Sequence, residues 1–346
     1  VISRVADHCF WFGRYLDRAE STARLLQSTR TMVFDAGIPV TQCWQPLVIV
    51  SGAFPAFKKR YGETAGGDGE AVQRYMTWDE DNIISLIRSV GAARENARVI
   101  RDALSEDVWQ EVNGLYHFLR DGSGTRQYDQ DREGFYVHVR RGVQLCLGVV
   151  RSTMLHEEPM SFLWLGVMLE RIGQLARILD MHHHTMEQEH LLESGRSQEQ
   201  SIVEEALWLA LLRACSGFDA FRKKHQGRVT VGAMVSFLVY EEKFPRSLFY
   251  GLRAASRILA QIWPEGSRPG SRPASASSDA SGAGAGQRLE DLMAWLAARR
   301  ERVGEISIHE VLTRVVDETT MACREIADEI REGVAAVPAR QSQSQS

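Results

Sequence analysis

Two stretches of this chain place a carboxylate immediately before an arginine inside an apolar helical pattern. One is FWFGRYLDRAESTARLL at 10–26, carrying Asp17–Arg18; the other is LWLGVMLERIGQLARIL at 163–179, carrying Glu170–Arg171. A guanidinium can grip a carboxylate or phosphate at two points. Neighbouring carboxylates can do acid–base work when burial raises the pKa of one. With Phe12 at zero on a helical wheel, Glu20 falls at about 80°, Arg24 at about 120° and Asp17 at about 140°. Glu170 and Arg177 take the two corresponding angles in the second stretch, where Gly173 stands in place of Glu20 and Asp180 follows Arg177 by three. Arg18 and Arg171 also match, on a different face. Such residues are either surface pairs worth about 0.2–0.5 kcal/mol each or the charged flanks of a polar cleft.

The elements that must carry these residues read as helices. Phe12, Leu16, Ala19, Ala23 and Leu26 step by four and three, and Leu165, Leu169, Ile172, Ala176 and Leu179 do the same. Leu86, Val90, Ala93, Ala97, Ile100 and Leu104 repeat it after Ser85. Each set forms one narrow stripe, as in a bundle of several helices. Alternating strand patterns are nearly absent, and only VTVGAMV at 229–235 is ambiguous. The third stripe is bordered by Arg94, Arg98 and Arg101, with Glu95 and Asp102 beside them. This ridge is either ordinary surface pairing or an anion or partner contact.

The likeness between the two stretches extends along the chain. WQPLVIVSGAFPAFKK at 44–59 aligns with WLALLRACSGFDAFRK at 208–223, and YMTWDEDNIIS at 75–85 with FLVYEEKFPRS at 237–247. Three blocks in the same order at nearly constant spacing point to a tandem duplication. The expected architecture is an all-α helical bundle of two tandem-duplicated halves, 1–155 and 156–335. Residues 264–288, rich in Gly, Ser, Ala and Pro, read as a disordered insertion in the second half, and 336–346 as a disordered tail. TWDED at 77–81 precedes a helix, with Asp81 or Asn82 as its expected N-cap.

Composition narrows the function classes. A net charge of −4 over 346 residues argues against a general nucleic-acid binder. Five scattered cysteines without a CxxC pair fit a reducing compartment. Charged residues interrupt the first twenty positions, unlike a secretory signal, and the longest apolar run, at 46–57, is too short for a bilayer. The expectation is a cytoplasmic protein with no membrane contact. No phosphate loop, GxSxG or other cofactor motif occurs. His183, Glu187 and His190 have a spacing that could place three metal ligands on one helical face. Histidines are also favoured at a helix C-terminus, no second ligand cluster appears, and the expectation is no metal.

Taken together, WFGRYLDRAESTARLL, ARENARVIRDALSEDVW, LGVMLERIGQLARILD, the SRVAD start and FPRS at 244–247 resemble the bacterial alpha-E domain family. The resemblance covers nearly the whole chain apart from the insertion and tail. It implies an all-helical domain associated with circularly permuted ATP-grasp ligases and transglutaminase-like proteins, in ligation or modification of a peptide or amino-acid-derived product. The family's acidic and arginine positions carry over to Asp17, Arg18, Glu20, Glu170, Arg171, Arg94, Glu95, Asn96 and Arg98. Asp17 stands where the family usually has glutamate, and Val167 where an arginine comparable to Arg14 would complete the second copy.

Three functions stay open at this point. The first is an accessory module binding a charged peptide, an amino-acid-derived ligand or a partner ligase. Its arginines (Arg18, Arg24, Arg94, Arg98, Arg171, Arg177) would hold anions, with Asp17, Glu20, Glu95 and Glu170 orienting them. The second is an enzyme using paired carboxylates. The third is a helical scaffold with its charges turned to solvent.

Overall fold

The computed structural model describes residues 3–35, 40–62, 65–192, 208–225, 230–264, 284–300 and 308–335, with the side chains of 32, 34–35, 40–42, 50, 181–192, 231 and 332–335 outside that description. The described residues are helical, without strands. The first half holds α1 (Ser3–Asp35), α2 (Val40–Val50), α3 (Phe54–Tyr61), α4 (Gly69–Trp78), α5 (Leu86–Val99), α6 (Glu106–Arg120), α7 (Ser123–Gln130) and α8 (Arg132–Thr153). The second half opens with α9 (Glu158–Leu192). It continues with α10, of which 208–214 are described. Then come α11 (Phe218–Lys224), α12 (Val231–Tyr240), α13 (Leu248–Ile262), α14 (Ala285–Ala297) and α15 (Ile308–Ala335).

The stripes read from the sequence are the core. Phe12, Leu16, Ala19, Ala23 and Leu26 of α1 are fully buried, as are Leu86, Val90, Ala93 and Ala97 of α5. Burying a leucine contributes about 1.5–3 kcal/mol, so these rows dominate helix docking. The two long helices, α1 and α9, form the central pair. α5 and α8 pack on α1, α13 and α15 on α9, and α15 also touches α1. The segment ambiguous at 229–235 is helical from Val231, capped by the Thr230 hydroxyl, which accepts from the Ala233 amide.

Two glycines set how closely α1 and α9 cross. A Cβ on Gly13 would lie 2.0 Å from the Leu163 carbonyl oxygen, and one on Gly166 would lie 2.1 Å from the Phe10 carbonyl oxygen. Only hydrogen fits at either place. The contacts are reciprocal, and residues 10–18 face residues 163–171 in the same chain order, so the helices run in the same direction through the crossing.

Smaller features recur in both halves. Ser85 and Ser247 cap α5 and α13 through their side chains. Arg60 pairs with Asp79 at 2.8 Å, and Lys224 pairs with Glu241. Gly52 (φ 72°) and Ser216 (φ 52°) make the left-handed turns before α3 and α11. The α5 cap differs from the sequence expectation. Ser85 is the N-cap, while Asn82 donates to the Tyr75 carbonyl at 3.1 Å and shapes the preceding turn. At the other end of the low-complexity stretch, residues 285–288 belong to the first turn of α14, with Ala285 fully buried. The hydroxyl-rich part at 265–283 and the tail at 336–346 lie outside the described residues.

Candidate functional site

Below the glycine crossing, each central helix holds its carboxylate against the other helix. Glu170 of α9 accepts from Arg18 Nε at 2.7 Å and Nη2 at 3.0 Å, and from Arg14 Nε at 2.9 Å. Gln174 Nε2 adds a fourth contact at 3.1 Å. In the reverse direction, Asp17 of α1 accepts from Arg171 Nη2 at 2.7 Å and Nε at 3.1 Å. Arg18 and Arg171 thus belong to the same charged layer as the carboxylates. The wheel put them on another face because it measures the angle of Cβ; a long arginine stem carries its head around the helix to the partner.

Both carboxylates are buried, Asp17 at 0% exposure and Glu170 at 2%. Burial opposes ionisation of Glu170, but Arg18 and Arg14 outweigh it and hold this carboxyl well below the usual range. Asp17 sits in a tighter balance. Burial raises its pKa, Arg171 opposes, and the neighbouring Glu20 pushes it up again, so its pKa ends above the ordinary value.

Glu20 is the hub of the α1 side. Arg246 Nη2 donates to both of its oxygens, at 2.8 and 2.7 Å, Gln144 Nε2 donates at 2.9 Å, and Arg24 pairs with it one turn on. Burial is overcome by Arg246 and Arg24, which pull its pKa down to about 2. Arg24 also donates to the Ser216 hydroxyl. Arg246 comes from the FPRS turn, 226 residues from Glu20. The motif marks the position; nothing in its local pattern says that it reaches α1. The space remaining beside Arg24, Arg171 and Arg246 is about 30 Å³, room for about one water.

The α9 side is open. A pocket of about 500 Å³ lies between α1, α9 and α15, lined by Trp11, Arg14, Glu170, Gly173, Arg177 and Thr319 among others. Arg14 stacks on Trp11, its guanidinium carbon 4.8 Å from the ring centre. Arg177 makes no hydrogen bond or ion pair among the described residues. Burial lowers its pKa, with Glu170 attracting the charge. Asp180, expected near Arg177, instead bonds His309 at 2.6 Å.

The family profile of Alpha-E, "a predicted alpha-helical domain with a conserved ER motif", matches residues 1–333. The chain belongs to the Alpha-E family. Its Glu170–Arg171 pair has the composition that description names. The chain is also 27% identical over 269 residues to uncharacterised proteins of Mycobacterium bovis and Mycobacterium tuberculosis. The match covers 72% of this chain and 28% of each relative's length. No solved structure matches.

The other expected site residues of this Alpha-E chain lie away from the crossing. Arg94 donates to Asn113 at 2.8 Å and Glu95 at 2.9 Å, and stacks over Tyr116 at 4.6 Å. Arg98 pairs with Glu95 at 2.9 Å, and Arg101 stacks over Trp109 at 5.1 Å. The ridge is therefore tied to α6 and to itself. Asn96 is hydrogen-bonded to His8 at 2.8 Å and fastens α5 to α1. All five cysteines are free and buried; burial pushes Cys9 and Cys146 up to about 12 and Cys215 to about 11. The side chains of His183, Glu187 and His190 lie outside the described residues. Among the described residues no group of three or more His, Cys, Asp or Glu could hold a metal ion, and no helix is long and apolar enough to cross a membrane.

Proposed function

We propose that this chain is an accessory helical module, not a catalyst. It binds a charged peptide or amino-acid-derived ligand for an ATP-grasp-type ligase or transglutaminase-like partner in peptide ligation or modification in the cytoplasm. The observation that carries this reading is the inequality of the two centres. The α1 side leaves a recess of about 30 Å³, whereas the α9 side keeps a 500 Å³ pocket with an arginine that has no hydrogen bond or ion pair among the described residues. That volume lies within the roughly 300–1,000 Å³ of small-molecule sites. Reciprocal pairing of Arg18 with Glu170 and Arg171 with Asp17 suits a tandem duplication whose halves lock together through these residues. Ligand contact then falls to Arg14, Arg177 and α15. The match to 28% of each larger relative supports a module that accompanies further chain.

A second reading, an enzyme using Asp17 as acid or base, draws on its raised pKa. Against it, Asp17 is fully buried and bonded to Arg171. Two assays separate the readings. The isolated protein is expected to give no product from acidic or amidated peptides, with or without divalent metal, and to be captured by an ATP-grasp-type ligase of the same organism. Turnover by the isolated protein that is lost in Asp17→Asn, or failure of capture, overturns the proposal.

A further inference from the structure

The two acid–arginine centres differ most at one helical position. Where α1 carries Glu20, α9 carries Gly173. Glu20 supplies the counter-charge for Arg24 and Arg246 and fills its site. At Gly173 no carboxylate takes that place. Arg177 corresponds to Arg24, and its guanidinium nitrogens lie 3.5 Å from where a Gly173 Cβ would be. The charge faces the 500 Å³ space without a partner among the described residues. On the α15 side, Thr319 lines the same pocket; it is 3% exposed, and its hydroxyl is itself buried, with no hydrogen-bond partner among the described residues. Trp11 adds an aromatic wall, and exposed Arg324 a cation at the rim. A half-buried guanidinium that faces open space without a partner among the described residues is free to take an anionic group in place of water.

We infer that this pocket binds a carboxylate of a small amino-acid-derived or peptide ligand, held by Arg177 at the position that Glu20's carboxylate occupies in the other centre. The inference rests on the binding-module reading and names its ligand chemistry. The pocket also contains Glu170 and Asp328, the latter paired with Arg331 at 2.9 Å. Both carboxylates are neutralised by arginines, so the lining is net positive; the carboxylate in the Glu20 place of the other centre favours a carboxylate ligand, and phosphate is the competing anion in the test.

The test is calorimetric titration and thermal shift on the full chain with L-glutamate, glycylglutamate, glycinamide and inorganic phosphate. Saturable binding of glutamate or glycylglutamate, but not glycinamide, is expected. Arg177→Ala should weaken it by about 10- to 100-fold, the range for a hydrogen-bonded charged group. Gly173→Glu should abolish it with no fall in melting temperature. A Cβ fits there, glutamate favours helix over glycine, and its carboxylate lies one turn before Arg177, as Glu20 does before Arg24. That combination cannot come from unfolding. Absence of carboxylate binding by the wild type, binding of phosphate alone, or unchanged binding by Gly173→Glu would overturn the assignment. Capture of the ligase by Gly173→Glu tells the two proposals apart: retained capture leaves the module reading standing even when the carboxylate assignment has failed.

Discussion

The α1 and α9 centres start from almost the same string and end in different states. Around Asp17 and Glu20, three arginines from three helices or turns meet two carboxylates, and the space closes. Around Glu170, Arg14 and Arg18 converge on one carboxylate with Arg177 close by, and the space stays open. The α9 side lacks the second carboxylate because Gly173 stands where α1 has Glu20; Arg14, matched by Val167, and Arg246 are further differences between the two centres. Two similar strings can thus share a packing role, each arginine bonded to the other helix's carboxylate, while only one of them leaves a pocket of 500 Å³ beside it.

The largest effect should come from removing the carboxylate that has no substitute. Glu170→Gln leaves Arg14 and Arg18 buried against a neutral amide, at a cost of about 3–5 kcal/mol. Asp17→Asn should cost less, under about 1 kcal/mol, because burial already disfavours the Asp17 charge and Glu20 still attracts Arg171. Chemical denaturation of both variants measures the difference; equal losses would break the comparison. Next comes the acid limb. Glu20 falls from 4.5 to about 2, worth on the order of 3 kcal/mol. Its folded pKa is depressed, so this stability is present above pH 4.5 and is lost as pH falls toward 2. Glu170 acts in the same sense. Asp17, raised above 3.8, acts in the opposite one: its ionised form costs stability as pH rises through and above that value. Denaturation from pH 6 to pH 2 should therefore show Glu20→Gln with a flatter acid limb than wild type, and Asp17→Asn with a steeper one.

The glycine crossing is where the two helices should behave alike. Gly13→Ala and Gly166→Ala each put a methyl within about 2 Å of a carbonyl oxygen. Each should cost about 1–3 kcal/mol, and the two losses should agree within about 0.5 kcal/mol. A large inequality, read by thermal or chemical denaturation, would mean that the reciprocity stops at the side chains.

Much of this was legible in the sequence, and the gaps have physical reasons. The apolar stripes predicted the buried rows because period and burial are one property of a helix. The Asp17 and Glu170 positions stood out because the string recurs. Periodicity along one helix says nothing of how two helices cross, so the cross-pairing of Arg18 and Arg171 was hidden. Arg246 and Thr319 reach their centres from distant segments, and no local pattern encodes that. Gly173 was visible as a substitution, but its consequence depends on the wall that α15 builds. The ridge at Arg94 and Arg98 looked exposed and basic; Tyr116 and Asn113 of α6, which take up Arg94, lie outside its motif.

The smallest predicted effect lies in the turn that helps to close the α1 centre. Gly52 adopts a left-handed conformation at no steric cost, whereas Ser216 holds φ 52° against a Cβ, a strain of about 1–2 kcal/mol. Its hydroxyl accepts from Arg24, and a hydrogen bond to a charged group contributes about 1.5–3 kcal/mol. Ser216→Gly relieves the strain and loses the bond, so its net change should stay within about 1 kcal/mol of wild type. Ser216→Ala loses the bond and keeps the strain, so it should be less stable than Ser216→Gly by about 1 kcal/mol. Denaturation of the two variants side by side decides the matter. If alanine proves the more stable, the turn carries no strain that glycine relieves; if Ser216→Ala is as stable as wild type, Arg24 is held by Glu20 without help from the Ser216 hydroxyl.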